Sequence, residues 1–527
     1  MGQLGWDAPL RRMCRVALAG LIVSFCLAGC AGLPQPAVRP APASAIPPQA
    51  DSRFTPVEHQ LRSAHGADAS GFRLLSQNLD ALRWRLVLID TARHSLDLQY
   101  YVWFGDKAGQ LLMARVLAAA DRGVRVRLLF DDLNTMLHDM THIELRDAML
   151  AKLDSHPNIE IRVFNAWRAR WLLGRVVETG TDFQRLNRRM HNKQMVADNR
   201  ATIIGGRNIG DEYFGLNEAF NFHDLDVLAI GPAARQASAV FDRYWNSAWV
   251  RAVPRDAAAE ASALASDAHN QALAQLATDP RAQAVLAGRR SWDKELEALP
   301  GSLQVGRSTV HADSPSRAAD SRNHMPEAFR ALMLSAQREV LITNAYIIPD
   351  ATFLADLQTL TKRGVKVRML TNSLASHDVA AVNSHYEPWR RPLVEAGVDL
   401  HELRPDAHVK SELVDTPPVQ GRFIGLHTKA MVIDRQRSFV GSMNLDPRSE
   451  VINSEMGVVI DSQALALTLA ATMERDMSGA NSWQVGLDVK GGLRWVSDAG
   501  VLTRQPARNV RQRFENLFFK LFPPNLY

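Results

Sequence analysis

Two stretches of the chain carry the same chemically able side chains at the same spacing. From Met190 the sequence reads M-H-N-K-Q-M-V-A-D-N-R-A-T-I-I-G-G-R-N, which sets His191, Lys193 and Asp198 ahead of a Gly205–Gly206 turn and Asn208. From Leu426 it reads L-H-T-K-A-M-V-I-D-R-Q-R-S-F-V-G-S-M-N, with His427, Lys429 and Asp434 ahead of Gly441 and Asn444. Residues two apart on a strand share a face, so each copy presents an imidazole beside an ammonium. A phosphate suits such a pair: the lysine neutralises the non-bridging oxygens while the imidazole attacks or moves a proton. The returning strand of each hairpin (Thr202–Ile204, Ser438–Val440) brings Asn208 and Asn444 to the same end, where their amides can donate to phosphate oxygens.

One copy alone leaves the leaving-group proton unmanaged. Two copies divide the work: one histidine attacks phosphorus and becomes a phosphohistidine, and the other gives its proton to the departing alcohol. Such imidazoles must start in opposite protonation states, so their surroundings should separate their pKa values. Asp224 (in F-H-D-L-D-V) and Glu455 (in N-S-E-M-G-V) follow the two motifs at corresponding places and are the carboxylates expected to orient the rings. Asp198 and Asp434, one strand-length from their histidines, read as structural hydrogen-bonders within the repeated trio. His377, His385, His401 and His408 lack a repeated partner and read as surface or loop residues, His377 being the one nearest the pocket mouth. Asp131–Asp132 end a strand, but the matching position holds Asn372 and no His/Cys cluster accompanies them, so no metal and no cofactor are expected.

The elements that must position these groups are duplicated too. An amphipathic helix is predicted over 74–90, a strand over Ser95–Val102, a helix over Gly109–Asp121 closed by Gly123, and a strand over Val124–Phe130. The grammar returns with a strand at Val340–Ile347, a helix at Thr352–Lys362, Gly364, and a strand at Val365–Leu370. Arg122–Arg127 matches Arg363–Arg368 at an offset of 241, and the histidines are 236 apart, which marks an internal duplication. The chain divides accordingly into an N-terminal lobe (61–255), a helical linker or insert (256–325) containing the alanine-rich 257–286, a C-terminal lobe (326–480) and a C-terminal extension (481–527).

A chain of 527 residues, 46% hydrophobic and 22% charged, has ample material for two cores. The N-terminus reads as a processing segment: Arg11, Arg12 and Arg15 precede an apolar run, Val16–Gly29, too short to span a bilayer, and L-A-G-C ends it like a lipobox. Cleavage would leave Cys30 as the lipidated residue, the sole cysteine and hence no internal disulfide. Removing 1–29 takes the formal charge from +5 to about +3, too small a balance to argue for nucleic acid. Residues 30–60 then read as the lipidated cysteine and a Pro/Ala-rich tether, with order beginning near Leu75. At the other end, R-Q-R-F-E-N-L-F-F-K-L-F (511–522) reads either as a helix lying on lipid or as one docked on its own core.

The doubled H-x-K-x-x-x-x-D followed by a G-x-x-N turn resembles the phospholipase D superfamily, from about Leu75 to the C-terminus. That resemblance implies two α/β lobes, each a mixed sheet flanked by helices, with one active site at their junction and a metal-independent phosphohistidine route. L-D-L-Q-Y-Y-V-W (96–103), I-I-G-G-R-N-I-G-D-E-Y-F (203–214), N-S-L-A-S-H-D (372–378) and G-S-M-N-L-D-P-R-S (441–449) are similar to bacterial cardiolipin synthases of the C type. The implied reaction is phosphatidyl transfer from a phospholipid such as phosphatidylethanolamine to phosphatidylglycerol. By family habit His191 is the nucleophile and His427 the general acid/base. The implied setting is the bacterial envelope, lipid-anchored and periplasm-facing, with an accessory protein left open. The alternatives are hydrolysis at the same phosphohistidine, a nuclease, and a catalytically silent lipid-binding protein.

Overall fold

A computed structural model describes residues 40–132, 150–168, 172–253, 291–315 and 323–523. The expected signal segment, Cys30 and the alanine-rich 257–286 lie outside the described residues.

The N-terminal sheet is built from β1 (Ser70–Leu75), β2 (Ser95–Tyr100), β3 (Arg125–Asp131), β4 (Ile159–Phe164), β5 (Gln194–Ala197), β6 (Ala201–Gly205), β8 (Asp226–Ile230) and β9 (Val250–Ala252); a short β7 (Phe220–His223) stands outside it. Its order is β9-β4-β3-β2-β5-β6-β8-β1, with β2, β3 and β4 parallel and the remaining pairs antiparallel. After β10 (Gln304–Ala312), the C-terminal lobe repeats the plan with β11 (Glu339–Asn344), β12 (Lys366–Asn372), β13 (Asp399–Leu403), β15 (Lys429–Ile433), β16 (Arg437–Gly441), β17 (Met456–Asp461) and β18 (Ser482–Leu487), while β14 (Phe423–Leu426) pairs with β7. Here the order is β18-β13-β12-β11-β15-β16-β17 with β11, β12 and β13 parallel. The mixed α/β architecture is thus two copies of one lobe.

The two βαβ crossovers are set by the same local chemistry. Asp106 caps the helix Lys107–Asp121 by accepting from Gly109 N (3.0 Å), and Asp350 caps Ala351–Lys362 by accepting from Phe353 N (2.7 Å). Gly123 and Gly364 take φ of 93° and 80° just past the helix ends, where a Cβ would be strained. β2 and β3 are buried on both faces, as strands covered by helices on each side must be.

Three expectations need correction. Between the lobes the sequence promised a helical linker through 325; instead β10 is a shared strand. Its first residues pair with β1 (Gly306 with Ser70) and its later ones with β17 (Arg307 with Asp461, Ala312 with Met456), which fuses both lobes into one 18-stranded sheet. Order begins well before Leu75, with a helix at Thr55–His65 and β1. The described part of the tether, from residue 40, is strapped to the N-terminal lobe: Ala43 N donates to Asn246 (2.9 Å), Ala45 N to Asp242 (2.9 Å), and Arg127 donates to Ala43 O (3.1 Å). A Pro/Ala run forms no backbone pairs of its own, so its free N–H and C=O groups are available to such partners. At the far end β18 extends the C-terminal sheet through β19 (Leu493–Ser497) and β20 (Gly500–Leu502), so the extension after 481 is partly lobe.

The aspartates of the trios sit at the turns of hairpins β5–β6 and β15–β16. Asp198 and Asn199 have φ of 51° and 52°, Asp434 and Arg435 53° and 54°, the two-residue left-handed turn that matches strand twist. Asp198 accepts from the backbone N–H groups of Arg93, His94 (2.8 Å) and Ser95, and from the Ser52 hydroxyl (2.7 Å). Asp434 accepts from those of Gln337, Arg338 (2.7 Å) and Glu339. Each therefore pins the start of a central strand. Asp198→Ala is expected to lower stability by about 3 kcal/mol and Asp434→Ala, less buried, by about half that, read as denaturation midpoints. Turnover per folded molecule should change little.

Candidate active site

The site forms where the lobes exchange backbone pairs. β7 and β14 run parallel, in a register that sets Leu426 opposite His223, and His427 N donates to His223 O (2.8 Å). The next residues on each strand, His427 and Asp224, therefore meet: His427 Nδ1 lies 2.6 Å from Asp224 Oδ2. The second junction is its mirror. Met190 bridges Ser454 in parallel, His191 N donates to Ser454 O (2.8 Å), and His191 Nδ1 lies 2.8 Å from Glu455 Oε2. His191 and His427 are thus each held through Nδ1 by a carboxylate of the opposite lobe, which leaves Nε2 of both rings available to a ligand.

The lysines complete each half alike. Lys193 Nζ donates to His191 O (2.6 Å) and lies 5.2 Å from the centre of the Tyr101 ring; Lys429 Nζ donates to His427 O and lies 5.7 Å from that of Tyr346. Tyr101 meets His191 edge-on at 5.0 Å, and Tyr213 meets His427 edge-on at 5.2 Å. The two lysines and two histidines are all buried. They share one electrostatic environment: Lys193, Lys429 and His427 each depress His191. A phosphodiester anion placed among them would relieve that mutual repulsion.

The family described as cardiolipin synthase, PLD-like domain, matches residues 86–245 and 329–477, one segment in each lobe. The chain belongs to that family. Similar proteins include cardiolipin synthase C of Escherichia coli, 38% identical over 83% of this chain and 92% of that one, and an uncharacterized protein of Helicobacter pylori, 32% identical over 84% and 86%. Among solved structures, phosphatidylserine synthase of Haemophilus influenzae has a similar fold, with a TM-score of 0.53 and 13% identity over 81% of this chain and 91% of that one.

The two halves of this PLD-like site are not electrostatically equal. Burial, then the charges of Lys193 and Lys429, hold His191 well below the ordinary imidazole range. His427 is also lowered by burial and Lys429, but Asp224 pulls it back up. Burial works to raise Asp224, yet His427, Lys429 and Arg207 carry it below the usual carboxylate range. Glu455 goes the other way, since burial pushes it up to about 7 against the pull of Lys193 and Ser442. Both imidazoles are therefore pulled down, and the difference between them is one of degree rather than of opposite direction.

A sequence asymmetry underlies this. At Gly206 a Cβ would sit 2.3 Å from Asp224 Oδ1, so only glycine admits the short carboxylate there. The matching position is Ser442, whose hydroxyl donates to the longer Glu455 (2.5 Å). The two turn asparagines, both buried, are differently engaged. Asn208 accepts from Val102 N (3.2 Å) and donates to the Tyr213 hydroxyl (3.0 Å), whereas Asn444 Oδ1 has no hydrogen-bond partner among the described residues.

Several groups escaped the sequence reading. Arg207, fully buried, bridges Asp226, Asn78 and the Asp224 carbonyl, and Asp313 accepts from Glu455 N (2.8 Å). Tyr101 and Tyr346 each follow the first strand of a βαβ unit but at positions one residue out of register, so alignment of the halves does not pair them. Asp131 accepts from Met190 N (2.9 Å), fixing the residue before His191. His377 and His401 are buried rather than on the surface: His377 stacks on Tyr346 at 5.2 Å, and His401 on β13 bonds Asp399 (3.0 Å). An apolar slot of about 60 Å³ opens beside Tyr101 between Trp103, Phe130 and Val163. A larger cavity of about 680 Å³, lined by Arg53, Asp90, Arg115 and Asp293 among others, lies by Arg93 at the far end of β2 and includes none of the groups above.

Proposed function

We propose that the chain transfers a phosphatidyl group from a donor phospholipid to the headgroup hydroxyl of phosphatidylglycerol, forming cardiolipin. The carrying observation is the exchange of carboxylates across the lobes, which turns two imidazoles toward one buried, cationic site. His191 Nε2 attacks phosphorus; the P–O bond to the donor headgroup breaks, and His427 Nε2 gives its proton to the departing oxygen. His427 then takes the proton of the phosphatidylglycerol hydroxyl, whose oxygen attacks the phosphohistidine and releases His191. Lys193 and Lys429 balance charge on the non-bridging oxygens. The assignment of His191 as nucleophile rests on its lower pKa, which keeps it neutral, and on Asp224 favouring protonated His427.

Resemblance to cardiolipin synthase C over 92% of that protein favours transfer over hydrolysis. In this reading the lipobox ending at Cys30 anchors the enzyme to an envelope membrane, facing the periplasm, with membrane phospholipids as donor and acceptor. Among the described residues no helix is long and apolar enough to cross a membrane. The deciding experiment supplies labelled phosphatidylethanolamine with and without phosphatidylglycerol. Cardiolipin that appears only with phosphatidylglycerol is the expected product; phosphatidic acid formed equally in both would make the protein a hydrolase.

A further inference from the structure

The C-terminal helix Val510–Phe519 is amphipathic in the reverse of the usual sense. Its buried residues are Gln512 and Asn516, while Val510, Phe514, Leu517 and Phe518 face solvent, continued by Leu521 and Phe522. Phe514 is 71% exposed and Leu521 81%. These positions recur at helical spacing, so they form one outward stripe. A soluble protein ordinarily turns such a stripe inward, and a contiguous exposed apolar patch marks an interaction surface.

The inward face is built from specific polar bonds, which fix the apolar face outward. Gln512 donates to Leu374 O, Asn516 accepts from Asn383 (2.6 Å) and donates to Glu387 (2.8 Å), and Lys520 donates to Glu387 (2.9 Å). Asn509 caps the first turn by accepting from Gln512 N (2.9 Å). Around the stripe, Arg504, Arg508, Arg511, Arg513 and Lys520 outnumber the acids Glu515, which pairs with Arg511, and Glu387, which pairs with Lys520. A basic rim around an apolar face matches the charge of an anionic phospholipid surface.

The helix also touches the loop that leads into the site. Arg508 donates to Ala375 O and His377 O, and its guanidinium lies 3.6 Å from the centre of the Phe423 ring on β14. His377 stacks on Tyr346, which meets His427 edge-on at 6.3 Å. We infer that this helix seats the enzyme on an anionic phospholipid bilayer, with Phe514, Leu517, Phe518, Leu521 and Phe522 entering the acyl boundary beside the active-site mouth. The inference rests on the phospholipid substrate proposed above and adds the surface by which that substrate is met.

The test uses the full chain with Cys14, Cys26 and Cys30 changed to serine and an environment-sensitive fluorophore on Leu517→Cys. Vesicles of phosphatidylcholine with 30% phosphatidylglycerol should shift its emission to the blue, and brominated acyl chains should quench it. Pure phosphatidylcholine should need about tenfold more lipid for the same shift. No shift on either vesicle overturns the inference, as does a blue shift that grows with protein concentration without lipid, which would identify a second copy as the occupant. A second arm uses the Phe514→Asp, Phe518→Asp, Leu521→Asp chain. Its turnover of vesicle substrate should fall at least about tenfold, with turnover of monomeric dihexanoyl substrate held within about twofold. A parallel fall on both substrates would make the helix a support for the 374–378 loop and overturn the seating role. Insertion of the label with no turnover of any lipid would remove the proposed reaction and leave the seating intact.

Discussion

The His191→Ala variant should lose phosphatidyl transfer by about 10⁴-fold or more, because in the proposed mechanism its imidazole carries the covalent intermediate. His427→Ala should be comparably inactive on natural lipid, so loss of activity alone does not assign the roles. The leaving group does. A p-nitrophenyl phosphodiester departs without needing a proton, so His427→Ala should still form the phosphoenzyme and release one equivalent of p-nitrophenol. His191→Ala should release none. Intact-mass measurement of the trapped adduct checks the same point directly. An adduct on His191→Ala but not on His427→Ala would reverse the assignment and leave the shared site standing.

The second large effect belongs to Asp224. It lies on the N-terminal lobe, yet it bonds His427 of the other, and it is ionised where Glu455 is pushed up to about 7. Asp224→Asn should lower transfer by about 10³-fold, because a neutral amide no longer favours the imidazolium or fixes its tautomer. Glu455→Gln, which removes a carboxylate already close to half protonated near neutrality, should cost roughly tenfold to a hundredfold. The pH profiles carry the sign. Asp224 raises the pKa of His427, so without it the proton donor is lost at lower pH and the alkaline limb moves toward acid. Glu455 favours charged His191, so without it the nucleophile stays neutral to lower pH and the acid limb moves toward acid instead. Rate profiles of the two variants from pH 4 to 9 would separate them.

Much of this site was legible because duplication writes the same message twice. The recurrence of His, Lys, Asp, Gly and Asn at one spacing marked His191 and His427, and the shared placement of Asp224 and Glu455 marked their partners. What the residues could not reveal was the crossing, since nothing in F-H-D-L-D-V says that its aspartate reaches the other lobe. That follows from the register of β7 on β14, a pairing between positions some two hundred residues apart. The same limit hid β10: nine residues with no strong apolar alternation, half-buried, become a strand because both neighbours offer open edges. The C-terminal helix was readable as amphipathic, but which face turned inward depended on carbonyls of Leu374 and His377 that only the folded loop supplies.

The seam strand has a consequence for biogenesis. β10 needs β17 to close its second edge, and the carboxylate that orients His191 comes one residue before β17 begins. Until residues 455–461 have emerged and docked, neither imidazole–carboxylate pair has a folded C-terminal half to meet. A partly made chain therefore has neither ring held by its carboxylate, and both pairs can close only once synthesis has passed residue 461 of 527.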